Sequence, residues 1–307
     1  MAKNTINFMA LRKPALILSA LLVATSIVSL ATLKLNVGID FTGGSIIEVG
    51  YQQPVQLEPI RDTLAANGYK DAVIQHFGST NEVLIRLVPK SDQNEAQLSS
   101  DIIQLLRAMT DDTVIERRVE YVGPQVGEEL TEDGGLAVLY ALIAILVYIS
   151  FRFEYRFSLG AVAALIHDVI ITLGIFSLFR LEFDLSVLAA ILAIIGYSLN
   201  DTIVVFDRIR ENFRKIRNKT PEEVTNISLN QTISRTVMTS CTTLLVLLAL
   251  FFIGSEVIHA FSLALIIGVL VGTYSSIYIA TSIALLLGIS RRDLLTPEPD
   301  DKELSRP

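Results

Sequence analysis

Six stretches of the chain are apolar for about as long as a helix needs to cross the roughly 30 Å hydrocarbon layer of a bilayer. They are residues 14–33, 134–151, 158–180, 185–207, 229–253 and 259–288. Between the first two, the pattern changes to short alternating segments and helical stripes. It predicts a strand at Ser45–Tyr51, a helix at Gln56–Asn67 closed by Gly68, strands at Asp71–Phe77 and Glu82–Val88, a helix at Asp92–Met109 and a strand at Thr113–Val122. Leu57, Ile60 and Leu64 on the first helix, and Leu98, Ile102, Leu105 and Met109 on the second, form one buried stripe each. The order β-α-β-β-α-β is that of a split-βαβ, ferredoxin-like sandwich. The predicted fold is an α-helical polytopic membrane protein of six transmembrane helices, with one α+β ferredoxin-like domain at residues 34–133 between helices 1 and 2. Residues 1–13 and 289–307 form the two tails.

Composition agrees with the pattern. Of 307 residues, 51% are hydrophobic and 19% charged, and the mean hydropathy is +0.52, outside the range of a soluble globular domain. The net charge of −7 argues against nucleic acid as a partner. Lysines and arginines fix the orientation. Lys3, Arg12 and Lys13 precede the first span, Arg152 and Arg156 follow the second, the run from Arg208 to Lys219 follows the fourth, and Arg291 and Arg292 follow the sixth. The opposite short loops carry Glu182, Asp184 and Glu256, with Arg180 at an edge. Both termini are therefore expected in the cytoplasm and residues 34–133 outside it. The length of the first run favours a retained anchor over a cleavable signal peptide. Cys241, in the fifth run, is expected to be a small buried residue.

Polar groups inside the spans carry the candidate chemistry. The third run holds His167 and Asp168, the fourth Asn200 and Asp201, and the fifth Arg235 ahead of Thr239. A charge at a helix centre is unfavourable by roughly 2.5–3.5 kcal/mol, so these groups are expected to turn inward and find partners. Asp201 and Arg235 lie at similar depth on consecutive spans, which suits a pair. That pair is either a fixed salt bridge or a site where protonation of Asp201 frees Arg235 and moves a helix. Asp168 either extends an ion path or accepts a hydroxyl bond from another span. Gly268 and Gly272 permit close helix contact in the sixth span. Thr220, Pro221 and Glu223 fit a helix start, and the basic run before them suits anionic membrane lipid.

The domain at 34–133 has no nucleophile elbow, metal-binding helix or cysteine pair, and its His76 reads as packing. It is expected to bind or to act as a lever, not to catalyse. Its entrance, "GIDFTGGS", holds Gly38, Asp40, Phe41, Gly43 and Gly44, a tight turn in which Asp40 bonds nearby amides. No phosphate-binding loop occurs, so an ion gradient is the expected energy source and no cofactor is implied.

Together, "GIDFTGGS", "HDV" in the third span, "GYSLNDTIVVFDRIREN" in the fourth and "RTVMTSCTT" in the fifth resemble the SecF family. SecF-like proteins form the bacterial SecD–SecF accessory complex within the resistance-nodulation-division superfamily. The resemblance implies a non-enzymatic inner-membrane subunit that pairs with a SecD-like subunit and associates with the SecYEG channel. Such a subunit uses the proton-motive force, or sodium in some relatives, to help draw a translocating polypeptide outward. It also implies that Asp201 and Arg235 take part in ion coupling. A small-molecule exporter of the same superfamily is the alternative, although such exporters usually carry two large insertions in one longer chain.

Overall fold

The computed structural model describes residues 5–87, 95–110 and 112–289. Lys3, the strand end at Val88, the helix start at Asp92, and Arg291 and Arg292 with most of the C-terminal tail lie outside the described residues.

A 3₁₀ turn, Phe8–Leu11, leads into α1 (Arg12–Thr32). After it come the two-residue strand β1 (Asn36–Val37) and the single-turn helix α2 (Ile39–Thr42). The domain follows as β2 (Gly44–Gly50), α3 (Leu57–Ala66), β3 (Val73–Phe77), β4 (Ser79–Leu87), α4 (Glu95–Ala108) and β5 (Ile115–Val122). Its sheet order is β3-β4-β2-β5 with every pairing antiparallel, which is the split-βαβ order. One face buries Ile47, Val49, Ile74, Val83 and Ile85 against Ile60 and Leu64 of α3 and Ile102, Ile103 and Leu106 of α4. On α4 the predicted Ile102 is in the core and Leu98 and Met109 pack against it, while the predicted Leu105 does not. Leu105 is half-buried, and Ile103 and Leu106 take the core positions. Each such aliphatic side chain stabilises the fold by about 1.5–3 kcal/mol.

The remaining helices are α5 (Pro124–Arg152), α6 (Tyr155–Leu178), α7 (Leu185–Lys215, preceded by the short strand β6, Glu182–Phe183) and α8 (Pro221–Ile253). Last come α9 (His259–Ser275), a π-helical turn at Ser276–Ala280, and α10 (Thr281–Leu286). Among the described residues, six helical stretches are long and apolar enough to cross a membrane. The chain is a multi-pass membrane protein.

Three helices outrun their predicted spans. α5 begins at Pro124, so residues 124–133 belong to a helix and not to the domain. α7 continues past residue 207 to Lys215, and α8 begins at Pro221, eight residues before 229. The extensions carry Glu128, Glu129, Glu132 and Asp133, or Arg208 to Lys215, and hydropathy is blind to a helix that continues into the aqueous phase. Pro221 sits at the first helical position, and Thr220 and Glu223 cap α8 reciprocally, Glu223 N–H to Thr220 Oγ1 at 3.2 Å and Thr220 N–H to Glu223 Oε2 at 2.8 Å. The bundle core is built around Phe153, Phe157 and Phe206, with Phe157 and Phe206 centroids 4.9 Å apart. Cys241 is exposed on α8, contrary to the expected burial, because α8 turns only part of its surface to α7 and α9.

Candidate functional site

Asp201 lies on α7, 16 residues from Leu185 and so about 24 Å along the helix. It is 3% exposed, and its Oδ2 has no hydrogen-bond partner among the described residues. The groups facing it from α8 are the Thr239 hydroxyl and the Arg235 guanidinium. Among the described residues no ion pair within 4.0 Å joins Asp201 to Arg235; the two interact through space. Arg235 lines a cleft of about 230 Å³ between α7 and α8, together with Asp207, Arg208, Glu211, Gln231 and Thr232. The guanidinium thus stands between Asp201 and a second pair of carboxylates nearer the basic end of α7. Those are already engaged, Asp207 with Arg152 at 3.0 Å and Glu211 with Arg208 at 2.9 Å.

The expectation that every polar group turns inward fails for two residues. Asn200 and Arg235 are both exposed on the surface of this chain. Successive helix residues point about 100° apart, so α7 cannot bury Asn200 and Asp201 against the same neighbour. Asn200 falls on a face with Ala189, Ala193 and Gly196 that this chain alone leaves uncovered.

Asp168 on α6 is treated differently. It is 0% exposed, and Oδ2 accepts from Ser198 Oγ of α7 at 2.6 Å and Ser275 Oγ of α9 at 2.8 Å. His167 Nδ1 lies 2.9 Å from Oδ1, and the His167 ring stacks on Tyr274 with centroids 6.5 Å apart. One carboxylate therefore joins three helices at the point where α9 passes into the π turn. Sequence reasoning offered a hydroxyl partner but missed which ones, since single serines in apolar spans carry no positional signal. Gly268 and Gly272 face this same contact: an added Cβ at Gly268 would collide with Ile194, and at Gly272 it would stand 3.0 Å from Ser198 Cβ.

At the other end of α7 the "GIDFTGGS" segment forms a clasp. β1 pairs in parallel with β6, Asn36 opposite Glu182 and Val37 opposite Phe183, and Phe41 stacks on Phe183 at 5.6 Å. Gly38 N–H donates to Phe183 O at 2.8 Å. Asp40 Oδ2 accepts from Leu185 N–H at 2.9 Å, in the first turn of α7, beside the N-cap Asp184. Gly43 has φ +68°, and an added Cβ would lie 2.9 Å from Pro124 Cα at the start of α5. On α5, a Cβ added to Gly127 would come equally close to Phe41 O. From the domain, Arg86 of β4 bonds Val37 O and pairs with Glu182 at 3.6 Å. Burial holds the Glu182 carboxyl above its ordinary range, opposed by the Arg86 guanidinium and reinforced by Asp184 and Asp40. Ile39 of α2 packs on Ile46 and Leu84, the sheet face that α3 and α4 leave open. The tight turn is thus also a joint among the domain, α5 and α7. His76, expected to pack, is exposed at a register shift between β3 and β4.

The clasp falls within residues 28–55, which match the SecD/SecF GG motif, and residues 101–290 match the C-terminal part of the protein export membrane proteins SecD/SecF. The chain is 53% identical to the protein translocase subunit SecF of Vibrio alginolyticus, over 97% of this chain and 94% of that one. The chain belongs to the SecF family. The SecF of Pseudomonas aeruginosa is 47% identical over 99% of this chain and 98% of its own, and that of Escherichia coli O157:H7 45% identical over 94% and 90%. A crystal structure of SecDF, a translocon-associated membrane protein from Thermus thermophilus, superposes with a TM-score of 0.84 at 40% identity. That match covers 93% of this chain and 39% of the SecDF chain, so this chain spans well under half the length of its structural neighbour. A SecDF structure described as a super-membrane-facing form gives 0.69 at the same 40% identity. A SecD partner accords with both the family and that longer neighbour.

Proposed function

We propose that this chain is a non-enzymatic auxiliary subunit of the Sec protein-export machinery of the bacterial inner membrane. It works beside a SecD subunit and the SecYEG channel and draws on the proton-motive force, or a sodium gradient, to help move secreted polypeptides outward. Both termini face the cytoplasm, and the ferredoxin-like domain stands on the periplasmic side as a lever. Supporting this orientation, Lys13, Arg152 and Arg208 to Lys219 lie at one end of the bundle and the clasp with Glu182 and Asp184 at the other.

The observation that carries the reading is the placing of Asp201: buried, facing Arg235 and Thr239 of α8, on the helix whose opposite end is clasped to the domain. Neutralising Asp201 removes the negative charge in front of Arg235. The guanidinium is then drawn toward Asp207 and Glu211 in the cleft below, and α7 and α8 shift relative to each other. A shift of α7 reaches the domain through Asp40, the β1–β6 pair and the Arg86–Glu182 bridge. The unequal fit of two SecDF structures of equal identity supports a fold with more than one arrangement. Asp201→Asn removes the titrating group while keeping its shape. The variant should assemble normally and abolish gradient-dependent completion of translocation in inverted membrane vesicles, whereas a wild-type rate would leave the chain a passive scaffold.

A further inference from the structure

At the basic end of the bundle a crevice of about 870 Å³ opens between the start of α1 and the start of α8. We propose that it binds the headgroup of an anionic phospholipid. The 3₁₀ turn before α1 forms its wall by crossing α8. There Ile6 N–H donates to Asn230 Oδ1 at 2.8 Å, Asn230 Nδ2 donates back to Ile6 O at 2.7 Å, and Met9 N–H donates to Asn226 Oδ1 at 3.3 Å.

The charges lining the crevice do not cancel. Arg12 pairs with Glu222 at 3.6 Å. Glu223 is committed to the α8 cap, where its carboxylate accepts from both the N–H and the hydroxyl of Thr220. Among the described residues, neither Lys13 nor Lys219 has a carboxylate within 4.0 Å. Glu223 keeps its charge, which Lys219 meets through space, so three cations (Arg12, Lys13 and Lys219) face two carboxylates and one positive charge remains in excess, next to an Asn226 amide whose oxygen is already engaged. That set donates hydrogen bonds and carries net positive charge, which is the chemistry of a phosphodiester site.

The crevice is also amphipathic in the direction of the membrane normal. Beyond the crossing, α1 turns its packing to α6 while α8 packs on α7 and α9, so the two helices diverge. The row of α1 that leads away from Lys13 carries Ile17 and Leu21, 62% and 61% exposed, and Met238 on α8 is 64% exposed. Polar donors at headgroup depth with apolar walls below suit a lipid with its acyl chains attached. A free phosphate would use only the upper half.

The test uses the full-length chain in detergent, probed by native mass spectrometry with phosphatidylglycerol and with phosphatidylcholine. Phosphatidylglycerol should be retained in preference, and the double variant Lys13→Gln/Lys219→Gln should weaken that retention about tenfold or more. Arg61→Gln/Lys70→Gln, on the ferredoxin-like domain and outside the crevice, should retain it as the wild type does. Millimolar inorganic phosphate should not displace it. A photoactivatable phosphatidylglycerol should label peptides from α1 and the start of α8. Equal retention by the lysine variant, equal retention of the two lipids, or displacement by phosphate would each overturn the proposal.

Discussion

Two carboxylates inside this bundle meet opposite environments. Asp168 accepts from Ser198 and Ser275 and faces His167, so both of its oxygens are engaged and its position is fixed by three helices. Asp201 is as deeply buried, yet one oxygen has no partner among the described residues and its nearest cation stands off at a distance. A satisfied buried group specifies packing, and an unsatisfied one is costly and available to change state. On this ground we propose a packing role for Asp168 and a working role for Asp201. Outside the membrane the same rule gives a pH prediction. Tyr51 is 7% exposed with no partner for its hydroxyl among the described residues. Burial, helped by Asp112, pushes its pKa from 10.0 up to about 12. Its neutral form is favoured by the fold, so its contribution to the domain's stability should be fully present below pH 10 and be lost as pH rises through about 12. An ultraviolet pH titration should show a late tyrosine step that Tyr51→Phe removes, and the variant should resist alkali better.

Among the elements, α7 and α9 depend on small residues at their contact. Gly268→Val would drive a branched side chain into Ile194 and should destabilise the bundle by about 1–3 kcal/mol. The readout is a lowered melting temperature in detergent. Gly196, with nothing near its added Cβ, is the matched control, and Gly196→Val should melt no lower than the wild type. Elements were the most legible part of the sequence. The two periodicities of the domain gave its strands and helices in order, because a half-buried strand and a half-buried helix leave different repeats. Helix ends were least legible where polar residues such as Glu128 and Glu132 continue a helix into water. On α4 only Leu105 was misplaced, because Leu105 and Leu106 are equally apolar and only the partner sheet decides between them.

For the whole molecule, the question is how a charge low on α7 reaches a domain about 24 Å away along that helix. The clasp provides a continuous link, and it was invisible in the sequence for a simple reason. Asp40 bonds Leu185, 145 positions away, and β1 pairs with β6 at a similar separation, so no local pattern records either contact. Asp201 and Arg235 were legible because a charged residue in an apolar run stands out, but the cleft that offers Arg235 a second set of carboxylates was not. If the clasp moves as one body with α7, a disulfide joining Val37→Cys to Phe183→Cys, made with Cys241→Ser, should leave translocation intact. Loss of translocation on oxidation, restored on reduction, would mean that the clasp must open.

The central claim is that Asp201 changes its charge during the working cycle. Infrared difference spectroscopy of the full-length chain in oriented membranes, as the outer side is acidified, measures this directly. The account predicts a carboxylic-acid band that appears in the wild type, is absent from Asp201→Asn and survives Asp168→Asn. An Asp201 carboxyl that stays in a single form with and without the gradient would contradict it.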